Sequence, residues 1–88
     1  MNVTFRKSFT RDLKRIKDQS ILERIAEVVE CVEAAKTVQE ISNYKKITGT
    51  NDCYRIRVGD FRIGVVLESD SVDFIRCLHR RDIYKFFP

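Results

Sequence analysis

The run Cys53-Tyr-Arg-Ile-Arg-Val-Gly-Asp-Phe-Arg-Ile-Gly-Val-Val66 decides the fold. Apolar and polar residues alternate on either side of Gly59-Asp60, and glycine in the first central position predicts a two-residue type II′ hairpin. Such a turn fixes the register. Val58 then opposes Phe61, Ile56 opposes Ile63 and Tyr54 opposes Val65 on a core face. On the other face Arg57 stands against Arg62, and Arg55 against Gly64, which has no side chain to fill its place. Like charges opposed across a strand pair cost roughly 0.2–1 kcal/mol, a local penalty with no visible folding benefit. An anion on that face would account for it. The alternatives are neutralisation by Glu68 or Asp73, or arginines splayed into water.

Downstream, Ser69-Asp70, or Ser69-Asp70-Ser71, predicts a second turn and Val72–His79 a further strand. With a two-residue turn Arg62 pairs with Cys77, and His79 and Arg81 point to the arginine face; a one-residue bulge would present Arg80 instead. Asp82–Phe87 is left as a short turn or helix. Upstream, Tyr44–Ile47 reads as a weak strand and Thr48–Asp52 as a loop. Ser20 with Glu23 forms a capping box ahead of a helix whose stripe is Ile21, Leu22, Ile25, Val28, Val29 and Val32. Before it, Ser8 or Thr10 caps a short basic helix carrying Leu13 and Ile16, and Asn2–Arg6 makes a strand with Val3 and Phe5 on one face. Two helices so closely joined predict a hairpin. The expected fold class is α+β: an N-terminal strand and helical hairpin packed on an antiparallel sheet of about four strands, with a short C-terminal helix or turn.

At 88 residues the chain is expected to form a single domain over residues 1–88. Hydrophobic residues at 43%, charged residues at 34%, three Gly and one Pro argue against disorder and low-complexity sequence. No apolar run is long enough to span a bilayer and no signal-peptide core is evident, so a cytoplasmic protein without membrane contact is expected. Cys31, Cys53 and Cys77 are odd in number and widely spaced, with one His; neither a disulfide framework nor a metal site fits, and reduced, mostly buried thiols are expected. The formal net charge of +4 is unevenly spread. Six basic residues face two acidic ones in residues 1–22, two face five in 23–43, and nine face six in 44–88. The acidic middle is the solvated side of the longer helix. The first helix, with Arg6, Lys7, Arg11, Lys14, Arg15 and Lys17, is either a solvated face or a surface for a polyanion.

The arginines, His79 and Tyr84 together suit RNA cleavage without metal or other cofactor. Guanidinium groups would hold the scissile phosphate and stabilise developing negative charge, while His or Tyr transfers protons and the nucleotide's own 2′-hydroxyl attacks. Individually, His79 could instead be a hydrogen-bonded structural histidine and Tyr84 a core residue beside Phe86 and Phe87.

Residues Asp52–Val66 followed by His79-Arg-Arg-Asp-Ile-Tyr84 resemble the RelE/ParE superfamily of bacterial toxins, and the order of elements agrees along nearly the whole chain. The resemblance implies the toxin half of a type II toxin–antitoxin pair, restrained by a cognate antitoxin protein, entering the ribosome and cleaving mRNA by 2′-hydroxyl attack. It places Arg55 and Arg57 where RelE-type toxins carry two lysines by the scissile phosphate, and Arg62 at a phosphate-contacting arginine. Arg80 or Arg81 matches a basic residue after the last strand, Tyr84 a base-stacking or proton-transferring aromatic, and His79 the histidine of other branches. Arginine for lysine at 55 and 57 shifts proton abstraction toward His79 or Tyr84. Lys14, Arg15 and Lys17 of the first helix, with Lys45 and Lys46, are the RNA-binding candidates. The ParE branch shares the scaffold and inhibits DNA gyrase, and a member that binds its antitoxin without toxicity is a third possibility.

Overall fold

The computed structural model describes residues 1–88. In chain order it has β1 (Asn2–Phe5), α1 (Lys7–Arg15), α2 (Gln19–Ala34) and a single 3₁₀ turn at Val38–Glu40. Then come β2 (Tyr44–Lys46), β3 (Cys53–Val58), β4 (Phe61–Glu68), β5 (Ser71–His79) and α3 (Arg80–Phe86). The strands make one five-stranded sheet in the order β1-β5-β4-β3-β2. The meander β2 to β5 is antiparallel, as alternation and turn chemistry dictate. β1 joins β5 in parallel, with Asn2 against Ser71 and Phe5 against Phe74, so the sheet is mixed and has one strand more than expected.

The β3–β4 register is the predicted one throughout, with Val58 against Phe61, Arg57 against Arg62 and Arg55 against Gly64. Gly59 has φ +57 and Asp60 is not in the left-handed region, as a type II′ turn requires. Ser69-Asp70 is likewise a two-residue turn, since Glu68 opposes Ser71, with Ser69 taking the left-handed position at φ 50.

Between β4 and β5 the uninterrupted register does not hold. Val65 pairs with Phe74, but Gly64 pairs with Arg76, leaving Ile75 as a bulge. Beyond it Arg62 opposes Leu78, not Cys77, and His79 opposes Phe61. The cause lies at the outer edge of β5. β1 covers that edge only as far as Phe74; beyond it α1 takes over, with the Ser8 hydroxyl donating to the Ile75 carbonyl and Asp12 accepting from the Cys77 amide at 3.0 Å. Asp12 is 3% exposed and also accepts from Arg76 Nε (2.7 Å) and Arg76 Nη2 (3.1 Å). A buried carboxylate is tolerable because three donors satisfy it.

Both helix starts differ from expectation. α1 begins at Lys7 after Arg6, ahead of Ser8 and Thr10, and without a side-chain cap. α2 is capped by Asp18, whose carboxylate accepts from the Ser20 and Ile21 amides, and not by Ser20. A full negative charge at a helix N-terminus outcompetes a hydroxyl two residues on.

α1 and α2 cover one face of the sheet. Phe9, Ile16, Ile21, Ile25 and Val32 pack there on Ile56, Val58, Ile63, Val65, Val72, Phe74 and Cys77. The opposite face is covered only in part, by α3. Ile83 and Phe87, four residues apart, bury themselves among Cys53, Val66, Ile75 and Leu78. Of the thiols, Cys53 and Cys77 are buried and Cys31 is exposed, all unpaired. Burial pushes the Cys77 thiol up to about 12, and it raises Cys53 as well. No helix is long and apolar enough to cross a membrane.

Candidate functional site

The face that carries α3 also carries the arginines. Period-two alternation in β3 places Cys53, Arg55 and Arg57 there, and β4 adds Arg62, Gly64 and Val66. α3 covers the Cys53 end and stops short of the arginine end. A cleft of about 340 Å³ remains, lined by Asn43, Tyr44, Lys45, Arg55, Arg57, Arg62 and Tyr84. Four of these seven side chains are cationic and none is acidic.

Gly64 proves to be a seat for α3. A Cβ there would lie 2.6 Å from the Phe87 ring, so the space opposite Arg55 is filled by an aromatic side chain and is not open to a ligand. Phe87 in that notch and Ile83 beside it fix α3, and the exposed Tyr84 then stands over the cleft with Arg55 Cζ 4.4 Å from its ring centroid. That contact is cation–π stacking, which holds the phenol ring at one end of the arginine group.

Arg62 lies opposite Arg57, yet its charge is turned along the hairpin. Nη1 donates to the carbonyls of Gly59 and Phe61, both at 2.9 Å. The chain has only two ion pairs, Arg6 with Asp73 and Arg76 with Asp12, each at 2.7 Å. Asp73, one of the acids that could have neutralised the arginine patch, is therefore engaged by Arg6, whose pKa rises chiefly through that hydrogen bond. Arg76 is raised in the same way by Asp12. Arg55, Arg57 and Arg62 have no carboxylate partner, and a site with cations on its walls and no counter-ion attracts phosphate.

His79 does not join them. The bulge at Ile75 turns it to the face that α1 covers, where its ring sits edge-on to Phe61 at 5.8 Å between centroids. Its Nδ1 accepts from the Arg81 amide at 3.2 Å, capping α3. Of the two registers the sequence left open, the structure takes the one with a one-residue bulge, so His79 and Arg81 do not reach the arginine face, for a reason that lies in the β5 edge. Arg80 and Arg81 are exposed on the first turn of α3, outside the cleft lining; the Arg80 amide donates to the Asp60 carbonyl at 2.8 Å.

Of the further basic candidates, Lys45 pairs with Arg55 across β2–β3 and lines the cleft. Lys46 pairs with Tyr54 and so points to the opposite face. Lys14 and Arg15 are exposed on the last turn of α1, where they complement the helix dipole, and Lys17 is exposed just beyond. None of those three lines the cleft.

Asn43 and Tyr44 went unnoticed in the sequence. Asn43 has φ 59, and its carbonyl accepts from the Arg57 amide at 2.9 Å, tying the start of β2 to the arginine strand. Asparagine is the side chain most at ease in that left-handed conformation, so a Ser-Asn pair before a strand carried the signal.

The match with known proteins covers almost the whole chain. Residues 3–84 fit the family model for the ParE toxin of type II toxin–antitoxin systems, parDE. Toxin RelE3 of Methanocaldococcus jannaschii is 39% identical over 89 residues, spanning 100% of both chains. A chain of the crystal structure of the RelB–RelE antitoxin–toxin complex from Methanococcus jannaschii superposes with a TM-score of 0.82 at 38% identity, covering 97% of this chain and 99% of that one. The archaeal RelE–RelB complex from Pyrococcus horikoshii gives 0.73 at 22% identity over 90% of this chain and 93% of that one, a likeness of fold. The chain belongs to the RelE/ParE superfamily of toxins from type II toxin–antitoxin systems.

Proposed function

We propose that this toxin is a ribosome-dependent mRNA endoribonuclease that needs no metal or other cofactor and stops translation by cutting messages. The observation that carries the reading is the cleft: Lys45, Arg55, Arg57 and Arg62 converge beside Tyr84 with no acidic side chain among them.

In the reaction the 2′-oxygen of one nucleotide loses its proton and attacks the adjacent phosphorus. The P–O5′ bond breaks, leaving a 2′,3′-cyclic phosphate, and the departing 5′-oxygen takes up a proton. The pentacoordinate phosphorane carries extra negative charge, and Arg57 and Arg62, opposed across the hairpin, stand where two guanidinium groups could share it. Arg55 holds Tyr84 by stacking, and Tyr84 offers a ring face to a base and a hydroxyl to a proton in transit. Of the two proton-transfer candidates named from the sequence, Tyr84 lines the cleft and His79 does not, so proton transfer is assigned to Tyr84. Phosphate holding without a base-reading pocket in the cleft itself suits a substrate presented by another particle, here the ribosome. The exposed Lys14, Arg15 and Lys17 are proposed to contact ribosomal RNA from α1, and a cognate antitoxin protein is the proposed restraint, as in the RelB–RelE complexes of the relatives.

Induced expression in cells, followed by mapping of mRNA 3′ ends and of translation rate, tests this. Codon-ordered cuts that disappear in Arg62→Ala and fall sharply in Tyr84→Phe are expected. The family model's ParE description favours one second reading, inhibition of DNA gyrase. Intact messages with blocked replication and gyrase-dependent DNA breaks would replace the nuclease by that reading, and no growth defect would mark a member without toxicity.

A further inference from the structure

The β2–β3 ladder ends at Ile56, and beyond it one backbone hydrogen bond, from the Arg57 amide to the Asn43 carbonyl, ties the two chains together. Arg57 and Asn43 therefore border two cavities, the arginine cleft on one side and, on the other, a second cavity between α2 and the segment before β2. It measures about 200 Å³, below the roughly 300–1,000 Å³ of drug-sized sites and on the scale of a single ring system. Its chemistry differs from that of the cleft, since Arg24 and Glu27 of α2 face it together with Glu40.

Arg24 and Glu27 are one helical turn apart, the spacing at which opposite charges commonly pair, yet they form no ion pair. The Arg24 guanidinium lies instead along the hairpin turn, its Nη1 3.1 Å from where a Gly59 Cβ would stand. Glu27 makes no hydrogen bond, whereas one Glu40 oxygen is engaged by the Lys36 and Thr37 amides at 2.9 and 3.0 Å. An unengaged cation and an unengaged carboxylate share one small cavity that meets the phosphate-holding cleft at a common rim, Asn43 and Arg57. A bare phosphate would be repelled by the two acids. A group that presents hydrogen-bond donors on a flat ring, tethered to a phosphate, fits both charges.

We propose that this cavity receives the base of a nucleotide next to the scissile phosphate, with Glu27 accepting from its exocyclic amino group and Arg24 contacting the following phosphate. The proposal rests on the RNA-cleaving reading. Adenine, guanine and cytosine carry such an amino group; uracil does not, so one position beside the cut disfavours uracil.

The test maps 3′ ends after the purified toxin acts on ribosomes translating a message of varied codons, comparing wild type, Arg24→Ala and Glu27→Gln. Both substituted positions are exposed, and unchanged melting temperatures verify the fold. For wild type, amino-bearing bases at one flanking position are expected to be cut roughly 5- to 100-fold more often than uracil. Glu27→Gln, whose amide both donates and accepts, should even out that bias, while Arg24→Ala should lower cutting at all codons alike. A wild type that cuts with no such bias, or a bias unchanged in Glu27→Gln together with Arg24→Ala cutting as wild type, overturns the pocket and leaves the nuclease standing. A wild type that cuts no message overturns both.

Discussion

Asp12→Ala removes three hydrogen bonds from one 3%-exposed carboxylate: two from Arg76 at 2.7 and 3.1 Å, and one from the Cys77 amide at 3.0 Å. Breaking a buried ion pair by deleting one partner costs about 3–5 kcal/mol, because the other charge is left behind. Arg76 keeps some solvent and its stacking over Phe86, which favours the lower end. The Cys77 amide has no such outlet, and a buried N–H without an acceptor costs about 1–3 kcal/mol. A loss of about 3–5 kcal/mol is therefore expected for Ala. A chain of this size has only about 4–13 kcal/mol in all. Asp12→Asn keeps an acceptor for Cys77 and should recover about 1–2 kcal/mol of the loss. Urea denaturation followed by circular dichroism measures both. With a slope of about 1–2 kcal/mol per molar, the Ala midpoint should fall by roughly 1.5–5 M at unchanged slope. An Ala variant within about 1 kcal/mol of wild type would refute the claim that this carboxylate fastens α1 to β5. Equal losses for Ala and Asn would show that the Cys77 bond contributes nothing.

Gly64→Ala would set a Cβ 2.6 Å from Phe87; overpacking of about 1–3 kcal/mol in a melting experiment is expected, with cleavage falling as Tyr84 loses its seat, and Phe87→Leu should restore stability in the double variant. His79→Asn supplies another side-chain acceptor for the first turn of α3 and should retain message cutting within a few-fold, whereas its abolition in a folded variant would place the chemistry on both faces of the sheet. Asp18 has its pKa lowered by hydrogen bonds from Ser20 and Ile21, so its contribution is complete above the ordinary carboxylate value and is lost as pH falls through the lowered one. Melting temperature in Asp18→Asn should accordingly show a weaker acid dependence below about pH 4 than wild type. Iodoacetamide at pH 8 should modify Cys31 in the folded protein and reach Cys53 and Cys77 only in denaturant, as mass mapping will show.

The β3–β4 hairpin was fully legible because a two-residue turn and a one-sided core leave it a single register, and the arginine face followed from parity alone. β5 was legible only as two alternatives, with and without a bulge, because the choice answers to Ser8 and Asp12, residues more than sixty positions away. One displaced residue then moved His79 to the face that α1 covers, away from the arginine cleft. Gly64 was seen to matter, but for the wrong reason, since nothing local announces that Phe87 will lie on it. The parallel pairing of β1 was equally hidden, for strand order is a property of the whole chain. Tyr84, Arg55, Arg57 and Arg62 could be proposed from the sequence because their chemistry, unlike their packing, is written in residue type, and the fold gathers these four in one cleft.

β5 is flanked on its inner edge by β4, made just before it, and on its outer edge by Asn2 to Asp12, made long before. Contacts some seventy residues apart cannot form until both partners have left the ribosome, so β1 and α1 wait unpaired during most of synthesis. Tyr84 and Phe87 lie downstream of every strand they pack on. The cleft is therefore incomplete until Tyr84 and Phe87 have been made and packed.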